Sequence, residues 1–387
     1  MNNPGNTFSI RALKTISALG TSQEAEAAYR EGNSGLGLRQ FGEDSRWAGS
    51  LPEALSKEIE LQVGAGYPRL DPTVHYAIFC ARQAMKEAGW TATDRLGINI
   101  GSSRGATALW EKYHQQQLGA GRVATQASPS TTLGNIASWV AHDLGSQGPA
   151  ISHSITCSSA LHAIINGCAW LQAGFADQFL AGGSEAPLTP FTVSQMEALK
   201  IYSRMPGPYP CRSFDQNKTA NTMVLGEGAG MVCLEAGKHP EASAWITGIG
   251  YATEPLSHGA SLSAEAQCLQ KAMQMALGST PAASVEAVVV HAPGTLKGDS
   301  AELRALEKVF PAGMPEIFTN KWQLGHTLGA SGMLNLELAM LLLEGKPVQH
   351  PGYLKPSEAP KQKFKKVVIN AVGFGGNAAS LLLEGHA

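Results

Sequence analysis

The stretch that decides the fold is "ISHSITCSSALHAIINGCAWLQAGFADQFLAGGSEA", residues 151–186. A short β-branched run ends at Cys157, small residues follow, and an apolar helical pattern begins at Leu161. This order predicts a buried strand that gives way to a helix, the alternation seen when helices cover a mainly parallel sheet. The segment therefore predicts an α/β fold with a cysteine at a strand–helix junction.

The same order of patterns occurs twice along the chain. Three pairs of segments are similar: 81–105 and 269–295, 226–237 and 373–386, and the Cys157 segment with 321–345. This self-similarity predicts two related α/β halves packed against each other, residues 1–240 and residues 241–387. Segments 30–72 and 186–224, rich in Gly, Pro and charge, are predicted to be loops that cover the site.

Composition excludes several classes of protein. The 387 residues are 43% apolar and 16% charged, and their formal net charge is −2. These values predict a compact globular protein and give no electrostatic support to nucleic-acid binding. The first twenty residues show no signal-peptide pattern and no apolar run could span a bilayer, so we expect no membrane association and a cytoplasmic location. The six cysteines form no C-x-x-C pair, so we expect no structural zinc site, no other metal and no disulfide framework.

Cys157 is a candidate nucleophile. A helix N-terminus carries unpaired N–H groups and a partial positive charge, so the thiol pKa is predicted to fall below its ordinary value. The alternative is that Cys157 is a buried small hydrophobic residue. His291, at the end of the apolar strand in "VVVHAPGTLKGD", and His326, five residues after Lys321, lie at equivalent junctions of the duplicated pattern. Each histidine alone is typical of a structural residue, but the pseudo-symmetry predicts that these junctions meet.

Four motifs together resemble those of a known family. They are Cys157 in TCSSALHAI, His291 in HAPGTLKGDSAE, Lys321 and His326 in K-x-x-x-x-GH-x-LGASG, and the turn Gly373-Phe374-Gly375-Gly376. In order and spacing they resemble the β-ketoacyl-acyl carrier protein synthases of the Cys-His-His type, from about residue 75 to the C-terminus. The resemblance implies a thiolase fold, in which the two halves form a five-layered αβαβα sandwich.

The resemblance also implies a mechanism. Cys157 would take an acyl group from a carrier protein as a thioester. A malonyl carrier protein would then lose carbon dioxide, and its carbanion would attack that thioester. His291 and His326, both neutral, would donate hydrogen bonds to the malonyl thioester oxygen, where enolate charge develops.

Further roles follow from the same resemblance. The backbone N–H groups of Cys157 and Phe374 would form an oxyanion hole, and Phe374 would gate the acyl pocket. Lys321 would support the electrostatics around His326, and Thr295 would contact the pantetheine arm of the carrier. No cofactor is implied beyond the phosphopantetheine of the acyl carrier protein. The implied partners are that carrier and a second subunit in a homodimer or heterodimer.

Three positions depart from the family pattern. Pro293 stands in the segment that the family writes His-Gly-Thr-x-Thr, and Asn335 stands where the family has a glutamate, nine residues beyond the second histidine. The segment "DQNKTANTMV", residues 215–224, replaces an expected Arg-Asp-Gly-Phe element. Two interpretations stay open: a divergent condensing enzyme of fatty-acid or polyketide-type biosynthesis, or a chain-length-factor-like subunit of a heterodimer, in which the partner performs the catalysis.

The sequence lacks the motifs of other enzyme classes. No G-x-S-x-G elbow of a serine hydrolase and no phosphate-binding glycine loop is present. A biosynthetic thiolase would carry a second cysteine where Phe374 stands. The five lysines between residues 355 and 366 are interpreted as a solvated charged run, with docking of an acidic carrier protein as the alternative.

Overall fold

The computed structural model describes residues 7–255, 262–354 and 363–386. The strands are β1 (Phe8–Ser17), β2 (Gly20–Thr21), β3 (Gly37–Phe41), β4 (Asp44–Ala48), β5 (Leu96–Gly101), β6 (Ala150–His153), β7 (Gln178–Glu185), β8 (Gly228–Ala236), β9 (Ala244–Thr253), β10 (Ala287–Val289), β11 (Glu316–Phe318), β12 (Lys366–Gly373) and β13 (Asn377–Glu384). The helices are α1 (Ser22–Glu31), α2 (Glu53–Ile59), α3 (Pro72–Ala88), α4 (Thr107–Ala120), α5 (Ala127–Thr131), α6 (Asn135–Leu144), α7 (Ser159–Gln172), α8 (Pro190–Ala198), α9 (Gln267–Leu277), α10 (Leu296–Val309), α11 (Lys321–Leu324) and α12 (Ser331–Glu344).

The strand order shows the duplication directly. One half-sheet runs β1-β8-β7-β5-β6 and the other runs β9-β13-β12-β10-β11. When the five strands of each half are counted along the chain, both half-sheets have the order first, fifth, fourth, second, third. The two half-sheets join where β1 pairs with β9, with Phe8 opposite Ile246. The prediction of two duplicated α/β halves is therefore confirmed, and the predicted boundary at residue 240 falls between β8 and β9.

Helices form three layers around the two half-sheets. Helices α3 and α6 pack on the outer face of the first half-sheet, and α9 and α10 cover the outer face of the second. Helices α7 and α12 lie between the half-sheets, in one apolar cluster that takes residues from both. Since apolar helices cover both faces, strands such as β12 are buried along nearly their whole length. The predicted five-layered αβαβα sandwich of the thiolase fold is confirmed.

This topology brings together the junctions that the sequence singled out. Strands β5, β6 and β7 are mutually parallel, as are β10, β11 and β12. Cys157 follows β6, whereas His291, Lys321 and Phe374 follow β10, β11 and β12. Because the carboxyl ends of parallel strands lie at one edge of a sheet, each half presents its polar residues at a single edge.

The two segments predicted as covering loops contain short elements. Residues 30–72 include the β3–β4 hairpin and α2, and residues 186–224 include α8. Of the lysines in the charged run, Lys355 and Lys361 lie outside the described residues, while Lys363 and Lys365 are exposed. Among the described helices, none combines the length and apolar character needed to cross a bilayer.

Candidate active site

Cys157 lies in a tight turn between β6 and α7. Thr156 adopts the left-handed backbone conformation, with φ of 47°. The Ser159 hydroxyl accepts the Ile155 N–H at 2.9 Å and donates to the Thr156 carbonyl at 2.6 Å. These bonds close the turn on both sides of Cys157, whose side chain is 7% exposed. The sulfur is thus held at a fixed position, two residues before the helix begins.

His326 contacts this sulfur from the second half of the molecule. Its Nε2 atom lies 3.2 Å from Cys157 Sγ, and its Nδ1 atom lies 3.0 Å from Ser331 Oγ. The backbone is also fixed, because the His326 N–H donates to the Val224 carbonyl and the His326 carbonyl accepts from the Gly226 N–H, at 2.7 and 3.0 Å. The imidazole therefore has a defined orientation toward the cysteine.

His291 lies beside His326 and is held through its backbone. The two rings are 5.2 Å apart between centroids and nearly perpendicular, at 83°. The backbone N–H groups of His291 and Ala292 donate to the two carboxylate oxygens of Glu302, at 2.9 and 2.7 Å. Neither ring nitrogen of His291 has a hydrogen-bond partner in the described part of the chain. Sequence reasoning missed Glu302, although it closes the same segment, HAPGTLKGDSAE, that carries His291.

Lys321 and Asn335 lie behind the two histidines. Lys321 Nζ is 3.4 Å from Asn335 Oδ1, and the Asn335 amide donates to the carbonyls of Val290 and Asn370 at 3.3 and 3.0 Å. Burial lowers the pKa of Lys321 to about 8. Asn335 thus gives the buried ammonium a neutral acceptor and connects it to Val290, directly after β10, and to Asn370 in β12.

Burial sets the protonation of the cysteine and the histidines. It lowers the pKa of His326 to about 3, with a smaller contribution from the positive charge of Lys321. The pKa of His291 falls well below its ordinary value, also chiefly through burial. Both imidazoles are therefore neutral at pH 7, as expected.

The prediction of a lowered pKa for Cys157 is wrong. Burial, and to a smaller extent the Glu185 carboxylate, raise the pKa of this thiol to about 12, and the nearby Lys321 charge offsets only part of that rise. Removal of the thiolate from water outweighs the favourable field of the helix N-terminus. The free protein therefore holds a thiol that needs a base, and His326 Nε2 is the neighbouring acceptor.

Cys157, His291, His326, Phe374 and Thr295 all line one cavity of about 360 Å³. Phe374 is 40% exposed, and Thr295 caps α10 by accepting the Gly298 N–H at 3.2 Å. The apolar residues that line the cavity include Met196, Leu199, Ile201, Met223, Leu328 and Val372. A mostly apolar cavity with a few convergent polar groups is typical of a small-molecule site.

The turn that carries Phe374 packs tightly on the cysteine turn. Thr156 Oγ1 donates to the Phe374 carbonyl at 3.1 Å. A Cβ atom at Gly373 would overlap Thr156 Oγ1 and lie 2.9 Å from the backbone nitrogen of Cys157. Glycine is therefore required at residue 373 so that the two turns can meet.

A buried ion pair involves Lys218, which lies in the 215–224 segment that departs from the family pattern. Lys218 Nζ lies 2.7 Å from Asp299 Oδ2, and both side chains are almost fully buried. Asp299 also accepts the backbone N–H groups of Phe214 and Gly294, at 2.7 and 3.1 Å. The pair thus ties the 213–222 segment to the loop that carries His291, a contact that sequence reasoning missed.

Elsewhere, the described residues contain no cluster of His, Cys, Asp and Glu arranged to hold a metal ion.

The duplicated sandwich and its cavity of one cysteine and two neutral histidines place the chain in the thiolase-fold class. Residues 43–239 match the profile of the N-terminal domain of β-ketoacyl synthases, and residues 244–350 match that of the C-terminal domain. The chain belongs to the β-ketoacyl synthase family, which confirms the resemblance found in the sequence.

Individual relatives agree with this assignment. Nodulation protein E of Rhizobium meliloti is 30% identical over 341 residues, which cover 80% of this chain and 81% of the relative. The 3-oxoacyl-[acyl-carrier-protein] synthase 2 of Staphylococcus aureus strain COL is 27% identical and covers 82% of both chains. A solved type II polyketide ketosynthase, AntDE in complex with the acyl carrier protein AntF, superposes with a TM-score of 0.85 at 21% identity, over 99% of this chain and 100% of that chain. The structural likeness supports the fold.

Proposed function

We propose that the chain is a β-ketoacyl-acyl carrier protein synthase that extends a Cys157-bound acyl chain by decarboxylative Claisen condensation. The observation that carries this proposal is the 3.2 Å contact between Cys157 Sγ and His326 Nε2, on a cavity that His291 also lines. A thiol, a neutral base and a second neutral imidazole at one cavity meet the needs of covalent acyl transfer followed by enolate formation.

In the first half-reaction, Cys157 accepts an acyl group. The thiol proton passes to His326 Nε2 as the sulfur attacks the carrier thioester, and the departing carrier thiolate takes that proton. The high pKa of Cys157, about 12, makes this proton acceptor necessary at neutral pH. A fixed imidazole at hydrogen-bond distance supplies it without prior formation of a thiolate.

In the second half-reaction, a malonyl carrier protein loses carbon dioxide. The electrons of the broken C–C bond form an enolate, and neutral His291 and His326 donate hydrogen bonds to its oxygen. The α-carbon then attacks the Cys157 thioester, a new C–C bond forms, and the C–S bond breaks to release a Cys157 thiolate, which takes a proton from water to restore the thiol.

The backbone supplies a further pair of donors for this step. Among the described residues, the N–H groups of Cys157 and Phe374 donate to no other residue. They are therefore free to stabilise the oxyanion of the tetrahedral intermediate. The tight packing of Gly373 on the cysteine turn supports their proximity.

The substrates enter on the phosphopantetheine of an acyl carrier protein. Thr295 and the apolar residues around it line the cavity that would hold this arm. Lys321 would act behind the histidines, and Asn335 would orient it. We further propose that the protein acts in the cytoplasm as a dimer, and that its halves divide at residue 240.

Intact-mass measurement after incubation with acyl carrier protein thioesters tests the proposal. Wild-type protein should gain one acyl mass, and the Cys157→Ala variant should gain none. Cys168→Ala is the matched control, because Cys168 is a buried cysteine of α7, the helix that follows Cys157, and does not line the cavity.

The absence of acylation would assign this chain the role of a chain-length factor. If wild-type protein never gains an acyl mass, and Cys157→Ala leaves product formation by the assembled pair unchanged, catalysis belongs to the partner subunit. If the protein is instead a homodimeric enzyme, we expect Cys157→Ala to abolish product formation.

A further inference from the structure

Ser331 is a buried hydroxyl that touches the catalytic histidine on the side away from the cysteine. It is the first residue of α12 and is 2% exposed. Its Oγ lies 3.0 Å from His326 Nδ1, while His326 Nε2 lies 3.2 Å from Cys157 Sγ. We propose that Ser331 is a positioning residue that completes a Cys157–His326–Ser331 relay and supports His326 in both half-reactions.

A hydroxyl is suited to this role because it can both donate and accept a hydrogen bond. When His326 Nε2 takes the Cys157 proton, the N–H on Nδ1 needs a hydrogen-bond acceptor, and Ser331 Oγ accepts that hydrogen bond. Before the enolate forms, exchange with water moves the proton of the neutral ring from Nδ1 to Nε2; Nε2–H then donates to the enolate oxygen, Nδ1 needs a donor, and the Ser331 O–H turns to donate. A carboxylate in this place could serve only the first state, since it accepts but does not donate.

The surroundings of His326 leave Nδ1 dependent on Ser331. The imidazole is 3% exposed, and no other side chain or carbonyl of the described residues bonds to Nδ1. The titratable groups around the ring are Cys157 at Nε2, the His291 ring at 5.2 Å between centroids and the charge of Lys321. None of them reaches Nδ1. Loss of the hydroxyl would therefore leave a buried polar nitrogen without a partner.

A second hydroxyl holds Ser331 itself. Thr327 Oγ1 lies 3.5 Å from Ser331 Oγ, and Thr327 is fully buried. The serine side chain is thus bounded by the histidine on one side and this threonine on the other. Its orientation toward Nδ1 is set by the turn that joins His326 to α12.

The inference rests on the proposed function for its catalytic readout, so the test combines two measurements. In single-turnover acylation by an acyl carrier protein, Ser331→Ala should lower the rate constant by about tenfold or more, with the carrier concentration at half-maximal rate unchanged. Ser331→Thr keeps a hydroxyl and should stay within about threefold of wild type. The matched control is Ser184→Ala, which removes a buried serine hydroxyl bonded to the Thr73 carbonyl, away from the cavity.

The second measurement needs no acyl substrate. Alkylation of Cys157 by iodoacetamide should slow by about tenfold in Ser331→Ala at every pH between roughly 7 and 9, because the base that accepts the thiol proton is weakened. In the His326→Ala background the same serine substitution should have no further effect, since residues that act as one unit are not additive.

The outcomes separate the two proposals. If alkylation follows this pattern but wild-type protein takes no acyl group, the proposed function fails and the relay stands. If Ser331→Ala alkylates at the wild-type rate, or if the serine and histidine effects add fully, Ser331 does not act through His326 and the inference is overturned.

Discussion

The Lys218–Asp299 ion pair tests how much a buried ion pair contributes to the free energy of unfolding of this protein. Replacing Lys218 with methionine removes the ammonium and keeps much of the side-chain volume. The Asp299 carboxylate would remain fully buried, with only the N–H groups of Phe214 and Gly294 as partners. A buried charge without its counter-ion is costly because neither water nor a partner compensates for it.

The expected size follows from that burial. Breaking a buried pair by removing one partner costs about 3–5 kcal/mol. Lys218 also donates to the Asp215 carbonyl at 2.9 Å, and the loss of that bond adds to the effect. We therefore expect Lys218→Met to lower the free energy of unfolding by about 3–5 kcal/mol at pH 7.

Denaturant unfolding followed by circular dichroism measures this change. The matched control is Lys57→Met, which removes the same group from an ion pair of similar length, 2.6 Å to Glu53, whose side chains are 72% and 82% exposed. An exposed helical pair of this kind contributes only about 0.3–0.5 kcal/mol. The two variants thus compare the loss of a buried ion pair with the loss of an exposed one.

Equal effects in the two variants would refute the reasoning. A Lys218→Met protein that unfolds within about 0.5 kcal/mol of wild type would show that water or another group compensates Asp299. Acylation by a carrier protein gives a second readout, because the pair ties the 213–222 segment to the loop of His291. That rate should fall together with stability.

Three further predictions concern the site. In a His326→Ala variant, the alkylation rate of Cys157 should rise about tenfold for each pH unit between roughly 8 and 10, because burial raises the thiol pKa to about 12 and no imidazole accepts the proton; a rate that levels off near neutral pH would contradict this. Gly373→Ala should lower the rate of acylation by a carrier protein by about tenfold or more, because the added Cβ would overlap Thr156 Oγ1 and displace the cysteine turn. A variant that reacts at the wild-type rate would show that the two turns can separate without loss of activity. Asn335→Glu should place a carboxylate beside Lys321 and raise its pKa above the present value of about 8, so that the ammonium stays charged to higher pH; an NMR titration of Lys321 that shows an unchanged or lower pKa would contradict it.

Much of the architecture was predictable from the sequence. The apolar helix after Cys157 appears in the structure as α7, but the prediction of a buried strand before it is wrong, because β6 ends at His153 and is a partly exposed strand at the edge of the sheet. The paired segments of the two halves occupy equivalent positions in two half-sheets of the same strand order. The periodic pattern of apolar residues predicts these features because it reflects which faces of each helix and strand are buried.

The residues of the site were identified, but their partners were not. Cys157, His291 and His326 line one cavity, as the equivalent junctions of the duplicated pattern suggested. Glu302, Ser331 and the pair of Lys218 with Asp299 were not recognised. Glutamate, serine and lysine are common at exposed positions, so only their burial and contacts mark them as parts of the site.

The sequence by itself determined the duplicated α/β pattern, the family and the identities of the cysteine and the two histidines. The tertiary structure alone decided the electrostatic state of the site, where burial makes Cys157 a weak acid although it precedes a helix. The physical reason is that a pKa depends on every group that excludes water from the atom. His326, whose Nε2 contacts the Cys157 sulfur, lies 169 residues away along the chain, and local sequence cannot encode that contact.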